Sequence, residues 1–487
     1  MLLEKGSRCW KVAAASRAAV LVDTEAYYDA AMEAMTRARR SIHFLNWAFE
    51  PDTRMRPEPS PAGRNGDGIA HFLKELAEAE PNLDVRILCW QSALPVAATQ
   101  KFFPIVDRSV FAGSRVKFVL DGEVPMGACH HQKMIVIDDA VAFCGGADIG
   151  QDRWDSSRHL DDDPQRERAS HPGRYYPNRH EVMALVDGPA AAALGELFRR
   201  RWRRCTGEAL EPPPPEPPTA WPPGIEPLFE HVRTGLSRTE PAWRGAPEVR
   251  ECEALHLAGI AAAKSCIYME NQYFTSELMG RALAARLAEP SGPDIVLVST
   301  TRSPSYFDQN TMDPTRSRFI KNLKAADRFG RFQIYSPVTA LGRDIIVHAK
   351  VTFIDDVLVR IGSANMNNRS FGFDTECDLS MEADGPMAER QRAAIARLRT
   401  DILAHWLGCA GAVIDDAIAR EQGVCKAIES LRASGLRRLQ PIPPKPPPPP
   451  AALIAHWHIG DPMGPADSFR PWKRRNAIER ECRASDV

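Results

Sequence analysis

A histidine and a lysine two residues apart, with an aspartate five residues further on, occur twice in this chain. The copies are His131-Gln132-Lys133 with Asp138, and His348-Ala349-Lys350 with Asp355. An imidazole serves as nucleophile or proton donor near neutral pH, and an ammonium group beside it supplies fixed positive charge for a phosphoryl oxygen. One such spacing is weak evidence; two in matching surroundings are strong. When two such segments meet across a pseudo-twofold axis, two histidines can flank one phosphorus in line, with both lysines and Asn365 around the equatorial oxygens. That arrangement suits a two-step displacement on a phosphodiester. A lone histidine is more often a satisfied core residue, but two His-Lys pairs at equivalent places in duplicated units have no packing reason to recur. Zinc binding by these motifs is disfavoured, because lysine is a poor neighbour for a cation and no further His or Cys stands beside either motif at short ligand spacing.

Parity separates the aspartates from the other two residues. If His131 to Ile137 is a strand, its period of two puts His131 and Lys133 on one face and Asp138 on the other, and the same holds for His348, Lys350 and Asp355. Asp138 and Asp355 are therefore expected to fix the turn after the strand and not to touch substrate.

The elements that must carry these residues repeat as well. Each motif runs into an apolar segment, an Asp-Asp pair, a second apolar segment and small residues: Met134 to Ile137, Asp138-Asp139 and Gly145-Gly146-Ala147-Asp148, against Val351 to Ile354, Asp355-Asp356 and Gly362-Ser363-Ala364-Asn365. This reads as strand, tight turn, strand and glycine turn, twice. Upstream, Ser41 to Phe49 matches Cys266 to Phe274, with Ile, Asn and Phe in register. Helical patterning over Gly68 to Ala79 leads to Asp84-Val85-Arg86-Ile87-Leu88, as Ser276 to Ala288 leads to Asp294-Ile295-Val296-Leu297-Val298. The fold class is α/β, an internal duplication with a period near two hundred residues and thus two similar domains. The expected division is 1–210 for the first repeat, 211–244 for a Pro-rich linker, 245–435 for the second repeat and 436–487 for a Pro-rich connector and tail.

At 487 residues and 44% hydrophobic, the chain is long enough for two substantial cores. No stretch approaches the roughly 20 apolar residues of a membrane span, and Glu4, Lys5, Arg8 and Lys11 interrupt any secretory h-region, so cytoplasmic residence is the expectation, with peripheral membrane contact or uncleaved export as variants. Eleven cysteines without short-spaced pairs argue against a disulfide framework or structural zinc; Cys129 and Cys144 read as buried fillers. Pro212 to Pro223 and Pro441 to Pro450 read as connectors, and the tail after the second either wraps the core, binds a partner or is poorly ordered. Arg199 to Arg204 reads as a solvated helix face, with a phosphate or anionic-lipid contact as the sharper alternative. Lys plus Arg number 62 against 63 Asp plus Glu, so no basic footprint for nucleic acid exists overall.

At these motifs the chain resembles the phospholipase D superfamily, over roughly residues 40 to 410. His130-His131-Gln132-Lys133, Gly145 to Ile149, Arg153-Trp154-Asp155, Glu270 to Phe274 and Gly362 to Asn365 look like the phospholipase D and transphosphatidylase branch. The resemblance implies two αβα-sandwich domains related by a pseudo-twofold axis around one active site, a phosphohistidine intermediate, and neither metal nor other cofactor. It makes His131 the nucleophile and His348 the acid, within a catalytic signature of His131, Lys133, Asp138, His348, Lys350 and Asp355. Glu181 and Glu376 match the carboxylates behind the two rings, and Asn365, Ser363, Asp148, Gly146 and Asn271 match phosphate-binding or supporting positions. Ser156 to Asn178 reads as a flexible insertion near the mouth of the site. Asp148, where cardiolipin synthases more often carry Asn, favours phospholipase D. The expected partner is a phospholipid at a membrane surface, hydrolysed or transphosphatidylated; a cardiolipin synthase-like transferase, a nuclease of the same chemistry and a non-catalytic lipid-binding scaffold are the alternatives.

Overall fold

The structure, a computed structural model, describes residues 1–57, 68–92, 104–214, 220–434 and 438–484. Parts of the expected connectors and of the tail, 215–219, 435–437 and 485–487, lie outside the described residues.

Both halves contribute to one sheet. From its outer edge the first half runs Lys117–Asp121, Asp84–Trp90, Ser41–Asn46, Met134–Ile137, Val141–Gly145, Val182–Asp187 and Lys11–Val22. The second half repeats the pattern outward from the centre: Phe229–Glu240, Glu376–Glu382, Leu358–Gly362, Val351–Ile354, Cys266–Glu270, Asp294–Val298 and Phe332–Pro337, with Leu439–Pro441 closing the edge. In each half the three strands next outward from the motif strand are parallel to one another and the motif strand is antiparallel to its neighbours, while the edge strand Leu439–Pro441 is antiparallel to Phe332–Pro337. The two halves join where Lys11–Val22 pairs antiparallel with Phe229–Glu240.

The motif hairpins, Met134–Ile137 with Val141–Gly145 and Val351–Ile354 with Leu358–Gly362, lie as the apolar runs anticipate. The helices Ile69–Ala79 and Glu277–Ala288 also follow their patterning, the second capped by the Ser276 hydroxyl accepting from Met279 N–H. Helix Gly188–Thr206 carries Pro189 in its first turn and ends at Gly207 in the left-handed region (φ 79°), a position that suits glycine. Its apolar face, with Leu194, Leu197, Phe198 and Trp202, packs into a core shared with Leu379 and Trp406 of the second half. Burying that shared apolar surface holds the halves together.

Two segments differ from the sequence expectations, and the tail takes one of its anticipated courses. The linker 211–244 contains the 12-residue strand Phe229–Glu240, so the second half of the sheet starts before 245. Its polar residues hide it: Arg233 reaches Glu382 (2.9 Å) and Arg238 reaches Glu251 (2.9 Å), which satisfies charges at the sheet centre. The insertion Ser156 to Asn178 is pinned between the halves. Asp163 caps a turn at Pro164–Arg166, Arg166 is buried, and Leu341 N–H donates to Asp161 (3.0 Å) while Arg343 pairs with Asp162 (2.8 Å). The tail wraps the core: Asp461 accepts from the Thr275 hydroxyl (2.8 Å) and Arg369 N–H (2.9 Å), and Arg475 pairs with Glu277 (2.8 Å). No single helix among the described residues is long and apolar enough to cross a membrane.

Candidate active site

His131 and His348 come from extended segments that lie just before their motif strands, not within the ladders. Backbone bonds across the pseudo-twofold set both. His131 N–H donates to Thr375 O (2.9 Å) in the second half, and His348 N–H donates to His180 O (2.9 Å) in the first. The second crossing continues as a short parallel ladder of Arg179–His180 with Ile346–Val347.

The carboxylates cross in the same way. Glu376, from the second half, receives His131 Nδ1 at 3.0 and 2.9 Å. Glu181, from the first half, lies 2.7 Å from His348 Nδ1, a close contact without the geometry of a hydrogen bond. With Nδ1 directed at a carboxylate, each ring turns Nε2 outward. Only small parts of the two rings are exposed, 14% and 11% of the side chains.

The lysines are buried between them. Lys133 donates to His131 O (2.8 Å) and lies 3.4 Å from Asp148, while Lys350 donates to His348 O (2.5 Å). Asp148 also accepts from Trp47 and Ala48 N–H (2.9 and 3.1 Å). At Gly146 an added Cβ would stand 3.0 Å from a Glu181 oxygen, 3.1 Å from His348 O and 3.3 Å from Lys350 Cδ, so the glycine permits close approach of the two motifs. Its counterpart Ser363 donates to Glu376 (2.5 Å). Asn365 is buried with Oδ1 unpartnered, and Asn271 accepts from Tyr273 and Met366 N–H (3.1 and 3.0 Å), which fixes the turn after Asn365.

Asp138 and Asp355 stand at the far ends of the motif strands. Asp138 accepts from the N–H groups of Arg39, Arg40 and Ser41 (2.8, 2.7 and 2.7 Å), and Asp355 from those of Lys264, Ser265 and Cys266 (2.9, 2.8 and 2.8 Å). Both have positive φ, 55° and 51°, in the turn. Their oxygens are committed to backbone, away from the histidines.

Burial governs the electrostatics. It pushes His131 well below the usual imidazole range, with Lys133 and Lys350 adding to the effect. His348 is lowered in the same direction by burial and then by Lys350, Arg179, Arg153 and Lys133. Burial also pulls Lys350 down to about 7. The Glu376 carboxyl is pushed upward by burial, opposed by hydrogen bonds from Ser363 and Ser370 and by Lys133. Burial and the clustered cations favour neutral imidazoles in the pocket, and an anionic phosphate bound there favours the protonated form that a histidine needs to act as an acid.

Comparison with known proteins agrees with this duplicated geometry. Residues 257–399 match the family described as cardiolipin synthase, PLD-like domain. Phospholipase D1 of Saccharomyces cerevisiae is 23% identical over 437 residues, 72% of this chain and 26% of that protein. Cardiolipin synthase of Geobacillus thermodenitrificans is 25% identical over 380 residues, 75% of this chain and 62% of that protein. The chain therefore spans less than two thirds of either relative. The solved phosphatidylserine synthase of Haemophilus influenzae superposes with a TM-score of 0.56 at 12% identity, covering 96% of this chain and 94% of that one, a likeness of fold. The chain belongs to the phospholipase D superfamily.

Within this superfamily member, several residues around the site escaped the motif reading. Arg179 precedes His180 and lowers His348, and its Nε is unpartnered; only its place before Glu181 hints at it. Arg201, inside the Arg199 to Arg204 run, is buried. It donates to Gln132 (2.9 Å) and pairs with Asp121 (2.6 Å), while Gln132 donates to Glu376 O (3.1 Å). Arg199 and Arg200 pair with Asp139 and Glu240 (2.6 and 2.8 Å), so much of that run is structural. All eleven cysteines are free, Cys129 and Cys144 among the buried ones.

Proposed function

We propose that this protein is a phospholipase D that hydrolyses glycerophospholipids and transfers the phosphatidyl group to alcohols. His131 Nε2 attacks the phosphorus, displacing the head-group alcohol, which takes a proton from His348. Water or another alcohol, deprotonated by His348, then attacks the phosphohistidine and releases phosphatidic acid or a phosphatidylalcohol. Lys133 and Lys350 neutralise the equatorial oxygens, and Asn365 donates through its amide. The observation that carries this reading is the crossed pairing of His131 with Glu376 and His348 with Glu181, which supports two Nε2 atoms acting on one phosphorus. The near-neutral charge favours a lipid over a polyanionic nucleic acid. The protein works at a membrane surface without crossing it, in the cytoplasm.

A transferase that condenses two phospholipids is the second reading, favoured by the cardiolipin synthases among its relatives. The test is to incubate the protein with phosphatidylcholine, phosphatidylethanolamine or phosphatidylglycerol vesicles containing ethanol and to identify the products by mass spectrometry. Phosphatidic acid and phosphatidylethanol are expected. Cardiolipin and glycerol from phosphatidylglycerol alone would support the transferase, and DNA cleavage without lipid turnover would overturn both.

A further inference from the structure

Behind the catalytic pocket, four residues far apart in sequence converge: Asp23, His159, His180 and His405. One donor atom from each lies within 4.8 Å of the others. Asp23 Oδ2 is 3.5 Å from His159 Nε2 and 3.8 Å from His405 Nε2. All three atoms are shielded from solvent and have no hydrogen-bond partner. Buried polar atoms are normally paired, so three orphans facing one another require an explanation. The separations are longer than good N–H···O bonds but close to the edge of a tetrahedral zinc site, about 3.4 Å for bonds of about 2.0–2.1 Å.

We propose that Asp23, His159, His180 and His405 bind a divalent transition-metal ion, Zn²⁺ in the first instance, that clamps the two halves of the molecule.

The surrounding groups are those that orient metal-bound imidazoles. His159 Nδ1 is held 2.9 Å from Asp155 Oδ2, which puts the proton on Nδ1 and leaves the Nε2 lone pair facing Asp23. His180 Nε2 is held 2.9 Å from Glu270, itself fixed by the Tyr268 hydroxyl (2.7 Å) and Trp406 Nε1 (2.6 Å). His180 Nδ1 rests 2.8 Å from Asp23 Oδ1 and becomes the fourth ligand by exchanging that contact for the ion. Three ligands come from the first half and His405 from the second. His405 is slightly exposed, 16% of its side chain, which gives an entry path. The donor set of imidazoles and one carboxylate suits zinc and its first-row neighbours, not magnesium or calcium.

The site has a route to the catalytic groups through backbone. Asp23 N–H donates to Glu181 O (2.8 Å), and His180 O accepts from the N–H groups of both His348 and Ala349 (2.9 and 3.1 Å). An ion here holds the segment carrying Glu181 against the one carrying His348 without touching substrate. It is a positioning site, and it stands or falls independently of which lipid the enzyme uses.

The test uses the full chain without a polyhistidine tag, stripped with a chelator, then titrated with Zn²⁺ against a chromophoric competitor and followed in parallel by thermal unfolding. About one ion per chain is expected, with a rise in Tm. His159→Ala and His405→Ala should each weaken binding at least tenfold, and His171→Ala, at an exposed position elsewhere, should not. If a cluster variant fails to fold, Co²⁺ loaded into the unaltered protein should give the strong visible absorption of a tetrahedral site. Binding that is absent, or equally tight in the folded cluster variants, would overturn the proposal, as would weak octahedral-type Co²⁺ absorption.

Discussion

His131 and His348 each face a carboxylate from the opposite half, yet the two supports differ. Glu376 accepts from His131 Nδ1 and is itself held by Ser363, whereas Glu181 meets His348 without the geometry of a hydrogen bond, both its oxygens lack a hydrogen-bond partner, and Gly146 stands where Ser363 would be. Lys133 is balanced by Asp148 at 3.4 Å, while Lys350 has no carboxylate in ion-pair contact among the described residues and is pulled down to about 7. The difference teaches that duplication supplied two equivalent motifs and that their neighbours then diverged. A rigidly oriented, neutral imidazole with a charge-balanced lysine suits the attacking group. A looser imidazole near Arg153 and Arg179 suits the group that must give up and regain a proton.

Removing each histidine breaks the comparison most sharply. His131→Ala should lose about 10³-fold or more in kcat on both phospholipids and aryl phosphodiesters. His348→Ala should lose as much on phospholipids but should still release nitrophenol from a nitrophenyl diester in a first-turnover burst slowed only about tenfold, because that leaving group needs no acid. Burst rates on the nitrophenyl diester beside steady-state rates on phospholipid decide it, and loss of the burst in both variants would show that the roles are not separated.

The supporting carboxylates come next. Glu376→Gln should lower kcat by about 10²–10³-fold by disturbing the tautomer of His131, and Glu181→Gln by less, with KM little changed in either. A larger loss for Glu181→Gln would reverse the assignment of the better-supported ring.

The pH profile sharpens the account of the lysines. His131 acts as the neutral ring and its pKa is depressed by burial, so kcat/KM should rise with pH through a limb below the usual histidine range. Lys350 acts charged; as pH rises through about 7 its charge, and the activity that depends on it, should be lost. Lys350→Arg should move that alkaline limb upward, at some cost in maximal rate. A limb that does not move would remove Lys350 as its cause.

Smaller effects are expected further out. Ser363→Ala should lower kcat by about tenfold through Glu376. Asp138→Ala and Asp355→Ala should each cost about 1–3 kcal/mol of stability, because three N–H groups at the strand turn lose their acceptor, and should leave activity per folded molecule nearly unchanged. Denaturant melts beside specific activity separate the two effects.

The motif hairpins and the helices before them were legible because their apolar runs are short, regular and bounded by Asp-Asp and Gly turns. The strands that join the halves were not. Lys11–Val22 is rich in alanine, a strong helix former, and Phe229–Glu240 is dotted with arginine and glutamate whose partners lie mostly on helices and strands far along the chain. The parity of the motifs indicated that the aspartates turn away from the histidines, and the backbone bonds of Asp138 and Asp355 give the physical reason. Glu181 was visible only through family resemblance. The convergence of Asp23, His159, His180 and His405 has no short-range signal, since tertiary packing alone assembles it.

The most direct measurement is to trap the covalent intermediate. The His348→Asn variant is mixed with a phosphatidyl nitrophenyl diester labelled in its phosphatidyl part, whose leaving group needs no acid, quenched within milliseconds to seconds, and digested for peptide mass spectrometry. The account expects acid-labile label on His131 that is absent from His131→Asn. Label on His348 in the His131→Asn protein, or turnover with no labelled histidine in either variant, would contradict it.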